Sequence, residues 1–144
     1  MSVVMVTGPM SSGNRILARV LASGPEVRAF VDKSHGTKDQ DTHYDLVVVI
    51  TRDRKKTEES IPIRHLPNRI IAIDDSLKGI AERYPDALKV TYEELVRDAD
   101  GIIAKVADEL YVEPWPNKWK MFDANQIPPE KKDPSWTIHP PTSP

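Results

Sequence analysis

The sequence predicts an α/β domain with a central parallel sheet and helices on both of its faces. Apolar runs typical of strands alternate with amphipathic stretches typical of helices through most of the 144 residues. The run Leu46–Thr51, LVVVIT, is apolar on both faces, as a central parallel strand requires. Hydrophobic residues make up 39% and charged residues 29% of the chain, which is typical of a globular chain of this length with one core.

The first half of the chain is predicted to form strand, helix, strand, loop and strand. Met1–Thr7 is apolar and β-branched, which predicts a buried strand. Asn14–Ala22 carries apolar residues at helical spacing and ends at a Ser-Gly-Pro sequence. A short strand is predicted at Val27–Val31. The polar segment Asp32–Tyr44 lacks periodicity, which predicts a loop before the strand Leu46–Thr51.

The second half alternates in the same way. Arg69–Ile73 and Leu88–Thr91 are short apolar runs that predict strands. Charged or amphipathic segments predict four helices, one of which has a serine cap and a following proline: Arg54–Ser60, Ser76–Tyr84, Tyr92–Leu95 and Ala99–Leu110.

The composition changes near Glu113. Eight of the thirteen prolines and all three tryptophans lie from Pro114 onward. Residues 1–112 are therefore predicted to form the α/β domain, and residues 113–144 an extended tail. Trp115 and Trp119 are expected to pack on the domain, and the end beyond Pro140 is expected to be loose.

The segment Gly8–Gly13 carries the clearest chemical signal. It lies between a predicted strand and a predicted helix, where backbone N–H groups and the helix dipole hold a phosphate or sulfate. Its spacing fits the first six positions of a Walker A loop, but Asn14 stands at the lysine position and Arg15 at the Ser/Thr position. The sequence predicts a P-loop-type domain without the groups that an ATPase uses for its γ-phosphate and magnesium.

The composition and the apolar pattern of the chain argue against several classes of function. The chain has no cysteine, which excludes thiolate metal sites and thiol nucleophiles. Its net charge of −2 gives no reason to expect nucleic-acid binding. No apolar run approaches the length of a membrane span, and the N-terminus lacks the pattern of a signal peptide. The expected location is the cytoplasm.

Three further segments carry candidate functional residues. The loop after the second strand reads Asp32-Lys33-Ser34-His35-Gly36. The strand Leu46–Thr51 is followed by Arg52, and Ser60 lies eight residues beyond that arginine. The last strand continues directly into VTYEELV, which contains Tyr92.

Together with the loop Gly8–Gly13, these segments resemble the sulfotransferases that use 3′-phosphoadenosine 5′-phosphosulfate (PAPS). That family has a P-[KR]-S-G-T-T-x-L loop, then K-[ST]-H, then a strand ending in Arg with a Ser eight residues on, then Y-E-[DE]-L. All four occur here in family order, over roughly residues 3 to 112. The resemblance implies a P-loop-type fold, transfer of a sulfuryl group from PAPS to an acceptor hydroxyl or amine, and no metal.

The resemblance also implies roles for individual residues. His35 matches the general base, and Lys33 belongs to the same catalytic motif. Arg52 and Ser60 match the residues that hold the 3′-phosphate, and Tyr92 matches a tyrosine that contacts adenine. The residues placed around the 5′-phosphosulfate are Ser11, Ser12, Gly13, Asn14 and Arg15.

The chain departs from the family in ways that affect its predicted chemistry. Ser11 stands where the family has Lys or Arg, and we hypothesise that Arg15 supplies the missing charge near the leaving phosphate. The stretch between Ser60 and Tyr92 is short, so much of the acceptor pocket of larger relatives has no counterpart. Nothing in the sequence names the acceptor. The site is expected either to be open to a large acceptor or to take walls from a second copy in a homodimer.

Two other functions remain open. The first is a P-loop kinase or NTPase, for which Ile70–Asp75 would be a Walker B strand and Arg52, Arg54 and Arg64 a phosphate clamp. Asn14 and Arg15 oppose that function, because the lysine and hydroxyl that they replace carry much of its chemistry. The second is a non-catalytic derivative that binds a nucleotide or a partner protein on the same scaffold.

Overall fold

A computed structural model describes residues 1–60, 69–121 and 138–139. Four strands form one sheet: β1 Ser2–Thr7, β2 Val27–Val31, β3 Leu46–Thr51 and β4 Leu88–Thr91. Their order in the sheet is β2-β1-β3-β4, and every neighbouring pair is parallel. The α/β class with a parallel sheet is therefore confirmed.

Five helices accompany this sheet in the described part of the chain, and four of them match the predicted segments to within two residues. A two-residue antiparallel pair, β5 Lys120–Met121 with β6 Ile138–His139, was not predicted. The helices are α1 Asn14–Ala22, α2 Arg54–Ser60, α3 Arg69–Arg83, α4 Tyr92–Arg97 and α5 Ala99–Leu110.

The prediction for residues 69–84 was wrong. A strand at Arg69–Ile73 and a separate helix from Ser76 were expected, but α3 runs through both segments without interruption. Ile73, Ser76 and Ile80 are buried at intervals of three and four residues, which is the helical period. A short apolar run such as IIAI fits either a strand or a buried helix, and here the helical spacing of the following residues decides.

Alternating side chains of the strands fall into two core clusters. Val4, Val6, Val48 and Ile50 pack with residues of α1, α4 and α5. Met5, Val47 and Val49 pack with Ile80 of α3 and with Tyr84, the residue that follows α3. Because neighbouring residues of a strand point to opposite sides, the two clusters contain the residues of opposite sides of β1 and β3, in agreement with the uniformly apolar sequences of these strands.

The first part of the tail lies on the domain. Trp115 is only 6% exposed, joins the larger core cluster and contacts Gly24, where any added Cβ atom would lie 2.7 Å from its ring. Trp119 packs against the same cluster, and the guanidinium of Arg19 lies 5.7 Å from its ring centroid. Arg64 and the tail beyond Pro140 lie outside the described residues. No helix in the described ranges is long and apolar enough to cross a membrane.

Candidate functional site

The candidate residues converge at the carboxyl edge of the sheet. The loop Gly8–Gly13 follows β1, the Asp32–Gly36 segment follows β2, Arg52 follows β3, and Tyr92 follows β4. The chain forms β2 next to one edge of β1, then crosses over to form β3 next to the other edge of β1 and continues outward to β4. In open α/β sheets, ligands bind in the crevice at such a reversal of strand order.

Glycine is required at both ends of the loop Gly8–Gly13. A Cβ atom at Gly8 would collide with the carbonyl oxygen of Ile50 in β3. Gly13 precedes α1 with φ +94°, a left-handed conformation, and a Cβ atom there would lie 2.7 Å from the Tyr92 ring. The glycines therefore allow the loop to lie directly against β3 and Tyr92.

The loop and the start of α1 carry polar groups suited to an anion. Within the described ranges, no acceptor meets the backbone N–H groups of Gly13, Asn14 or Arg15. The Ser12 hydroxyl is fully buried and has no hydrogen-bond partner among the described residues. A bound phosphate or sulfate would accept hydrogen bonds from these N–H groups at the helix N-terminus and from the buried hydroxyl.

We call the residues predicted to surround the 5′-phosphosulfate, residues 11–15, the anion cradle. The side chains of Asn14 and Arg15, two of these residues, differ in burial and in contacts. Asn14 is buried, and its amide donates to the carbonyl oxygens of Gly8 and Pro9 at 3.2 and 3.0 Å. This side chain therefore closes the loop. Arg15 is exposed on the first turn of α1 and forms no hydrogen bond or ion pair with the described residues.

Arg52 links three of the predicted nucleotide-binding residues. Its Nη1 atom donates to Ser60 Oγ at 2.9 Å and to the Ser11 carbonyl oxygen at 3.3 Å. The Ser11 hydroxyl in turn lies 3.4 Å from the Ser60 carbonyl oxygen. The Arg52 guanidinium also lies over the Tyr92 ring, and that ring is buried beneath Gly13. Residues from three separate segments are thus in direct contact: the loop after β1, the stretch from Arg52 to Ser60, and the start of α4.

His35 reaches the same loop from β2. Its Nδ1 atom lies 3.0 Å from the Gly8 carbonyl oxygen. Because a carbonyl oxygen can only accept, Nδ1 must carry a proton, and the Nε2 atom of the neutral ring then holds the free lone pair. No partner within the described ranges meets Nε2. Lys33, two residues earlier, is exposed.

Backbone strain is concentrated at this site. Three non-glycine residues of the described chain have positive φ, and two of them are Ser11 at +64° and His35 at +54°. The left-handed conformation costs an L-residue about 1–3 kcal/mol and persists only where the surroundings impose it. Such positions are typical of functional sites, and here both lie on loops that meet at the carboxyl edge.

Asp32 is the residue that sequence analysis missed. It is fully buried, and its carboxylate accepts hydrogen bonds from Thr7, Ser34, Gly36 and Gln40. An Asp two residues before a Ser, at the end of a strand, is a common pattern for an Asx turn and was the available signal.

The Walker B hypothesis was wrong. Asp74 and Asp75 lie on exposed positions of α3 instead of at a strand end. Arg54 pairs with Asp74 at 2.8 Å and with Glu58 at 3.2 Å. These hydrogen bonds raise the pKa of Arg54, and the bond from Arg54 lowers the pKa of Asp74. No cluster of metal-ligating side chains occurs in the described part of the molecule.

Comparison of the chain with models of known protein families, with curated proteins and with solved structures found no significant match.

Proposed function

We propose that this protein binds PAPS and transfers its sulfuryl group to an acceptor hydroxyl or amine. The observation that carries the proposal is the contact of Arg52 with Ser60 and Ser11 beside a loop with bare N–H groups. A guanidinium and a hydroxyl next to an anion cradle suit a ligand that carries two separate anionic groups. PAPS and its product adenosine 3′,5′-bisphosphate are such ligands.

The loop supplies the site for the 5′ group. The N–H groups of Gly13 and Asn14 and the buried Ser12 hydroxyl would hold the phosphosulfate, whose charge their dipoles complement. Arg52 and Ser60 would hold the 3′-phosphate. Fixed donors of this kind stabilise a sulfuryl group in transfer, because its charge is spread over its oxygens.

His35 would accept the proton of the acceptor. The bond between the donor's phosphate oxygen and sulfur breaks, a bond between sulfur and the acceptor oxygen or nitrogen forms, and the acceptor's proton moves to Nε2. The neutral ring with its proton on Nδ1 has the lone pair that this step needs. Adenosine 3′,5′-bisphosphate then leaves.

Isothermal titration calorimetry with adenosine 3′,5′-bisphosphate, AMP, GTP and ATP, the last with and without Mg²⁺, tests the proposal. The bisphosphate should bind about one to two decades more tightly than AMP, because one charge-assisted phosphate contact contributes roughly 1.5–3 kcal/mol. Equal affinities for the two nucleotides, or Mg²⁺-dependent binding of ATP in preference to both, would overturn it.

A second candidate is a non-catalytic nucleotide-binding protein on this scaffold. Ser11 places no cation beside the cradle, the Asn14 side chain is used inside the loop, and the exposed Arg15 makes no contact with the described residues that would hold it there. Tight binding of the bisphosphate without sulfuryl transfer to any of a panel of phenols, alcohols and amines would favour this candidate.

A further inference from the structure

The buried carboxylate of Asp32 organises the loop that carries His35. Its Oδ1 atom accepts from the Ser34 backbone N–H at 2.9 Å, from the Ser34 hydroxyl at 2.7 Å and from Gln40 at 2.8 Å. Its Oδ2 atom accepts from the Gly36 N–H at 2.7 Å and from the Thr7 hydroxyl at 2.9 Å. One side chain thus receives five hydrogen bonds, and four of them come from its own loop.

These bonds fix the backbone on both sides of His35. Asp32 holds the N–H groups of Ser34 and Gly36, which flank the histidine, while His35 and Gly36 have φ values of +54° and +88°. The loop is also packed closely against α3, since a Cβ atom at Gly36 would collide with Ile80. The left-handed conformation of His35 is unfavourable for an L-residue, so these contacts must impose it.

The remaining bond connects the loop to β1. Thr7 is the last residue of β1, is fully buried, and immediately precedes Gly8, whose carbonyl oxygen accepts from His35 Nδ1. Asp32 therefore sets both the backbone that carries the imidazole and its distance from the carbonyl oxygen that holds the ring.

We propose that Asp32 is a positioning residue that fixes His35 as the Nδ1-protonated tautomer, with the Nε2 lone pair available at the anion cradle. The catalytic meaning of this role rests on the proposed function, but the tautomer itself does not. Asp32 touches neither ring nitrogen; it acts through the loop backbone and through Thr7.

Substitution Asp32→Asn tests this assignment with little change in volume. An amide has one accepting oxygen, so its –NH₂ group must face either the Ser34 N–H or the Gly36 N–H. One of the two backbone bonds that flank His35 is lost whichever way the amide turns. The ring should then leave the Gly8 carbonyl oxygen and exchange between its two neutral tautomers.

The measurement is long-range ¹H–¹⁵N correlation NMR of the full chain labelled at histidine, at a pH where the imidazoles are neutral. Wild-type His35, assigned from the signals missing in His35→Gln, should show one pyrrole-like Nδ1 and one pyridine-like Nε2. In Asp32→Asn these two shifts should move toward each other. Retention of the single Nδ1–H pattern in a folded Asp32→Asn protein would overturn the proposal.

Thr7→Val is the second variant in case Asp32→Asn does not fold, because it removes only the hydroxyl that ties Asp32 to β1. It should weaken the tautomer preference in the same direction, and an unchanged pattern would count against the proposal. Asp45→Asn is the matched control: Asp45 contacts Nε2 of the exposed His43 at 3.1 Å, so it should alter His43 and leave His35 unchanged. A change at His35 in this control as large as that in Asp32→Asn would also count against it.

Titration of the same samples with adenosine 3′,5′-bisphosphate separates the two proposals. A fixed Nδ1–H tautomer that depends on Asp32 would support the positioning role even if the bisphosphate binds no better than AMP. Preferential bisphosphate binding with an Asp32-independent tautomer would sustain the proposed function and reject the positioning role.

Discussion

The guanidinium of Arg52 lies on the ring of Tyr92, with its Cζ atom 4.3 Å from the ring centroid. The same guanidinium donates to Ser60. Tyr92 is only 3% exposed, and Gly13 lies against the same ring, where an added Cβ atom would be 2.7 Å away. A cation over an aromatic face gains about 0.5–2 kcal/mol, which favours one orientation of the side chain. Tyr92 therefore orients Arg52, in addition to any contact with adenine that the family resemblance implies.

Replacing Tyr92 distinguishes these two roles. Tyr92→Phe keeps the aromatic face and should preserve the preference for adenosine 3′,5′-bisphosphate over AMP. Tyr92→Leu removes that face and should reduce the preference by about three- to tenfold, the equivalent of a weak to moderate cation–π interaction. Calorimetric titration of both variants with both nucleotides measures this. If Tyr92→Phe weakens binding of the two nucleotides equally, the hydroxyl contacts the part that they share, and the orienting role is secondary.

Removal of Arg52 should erase the discrimination between the two nucleotides. Arg52→Ala leaves Ser60 and the loop in place but removes the cation that would meet the 3′-phosphate, so the bisphosphate should bind no better than AMP. Arg54→Ala is the matched control, since Arg54 is two residues away and pairs with Asp74 and Glu58. The same titrations check the prediction, which fails if Arg54→Ala abolishes the preference and Arg52→Ala does not.

The packing of the tail on α1 should contribute measurably to the free energy of unfolding. Trp115 fills the space above Gly24, and its indole N–H faces the Val20 carbonyl oxygen at 3.5 Å. Trp115→Ala should lower the free energy of unfolding by about 3–5 kcal/mol, as deletion of a buried aromatic ring does. Tyr111→Ala, at a residue that is 95% exposed, should change it by less than about 0.5 kcal/mol. Urea unfolding followed by circular dichroism measures both, and similar losses in the two variants would contradict the assigned packing.

Much of the fold follows from local patterns in the sequence. β3 and α1 were predicted with their observed bounds, because LVVVIT has no polar face and Asn14–Ala22 has clear helical spacing. The strand predicted at residues 69–73 was wrong because four consecutive apolar residues fit both the period of a strand and that of a buried helix. The choice between them came from Ile80 and Tyr84, farther along the chain, which pack against β1 and β3.

Less of the candidate site than of the fold could be predicted from the sequence. The motifs assigned Ser11 to the 5′-phosphosulfate and Arg52 and Ser60 to the 3′-phosphate, and their positions after strand ends placed all three at one edge of the sheet. The stacking of Arg52 on Tyr92 joins β3 to β4 and depends on strand order, which local spacing does not specify. The role of Asp32 likewise depends on Thr7 lying beside it in a parallel pair, 25 residues away in the chain.

His35 should be needed for transfer and not for binding. A general base contributes in the transition state, about 10²–10⁴-fold in rate, and adds little to the affinity for the donor. His35→Ala should therefore reduce sulfuryl transfer by that factor while leaving the affinity for adenosine 3′,5′-bisphosphate nearly unchanged. Transfer from radiolabelled PAPS to a panel of hydroxyl and amine acceptors, with calorimetric titration of the same protein, measures both quantities.

His43→Ala is the control for this prediction, because that exposed imidazole pairs with Asp45, which precedes β3, and lies outside the carboxyl-edge site. It should leave both quantities unchanged. The combination of results identifies what His35 does. Loss of transfer with intact binding is the signature of a base that acts on the acceptor. Parallel loss of both in His35→Ala would mean that the bond from Nδ1 to the Gly8 carbonyl oxygen mainly shapes the cradle, and the general-base role would then be rejected.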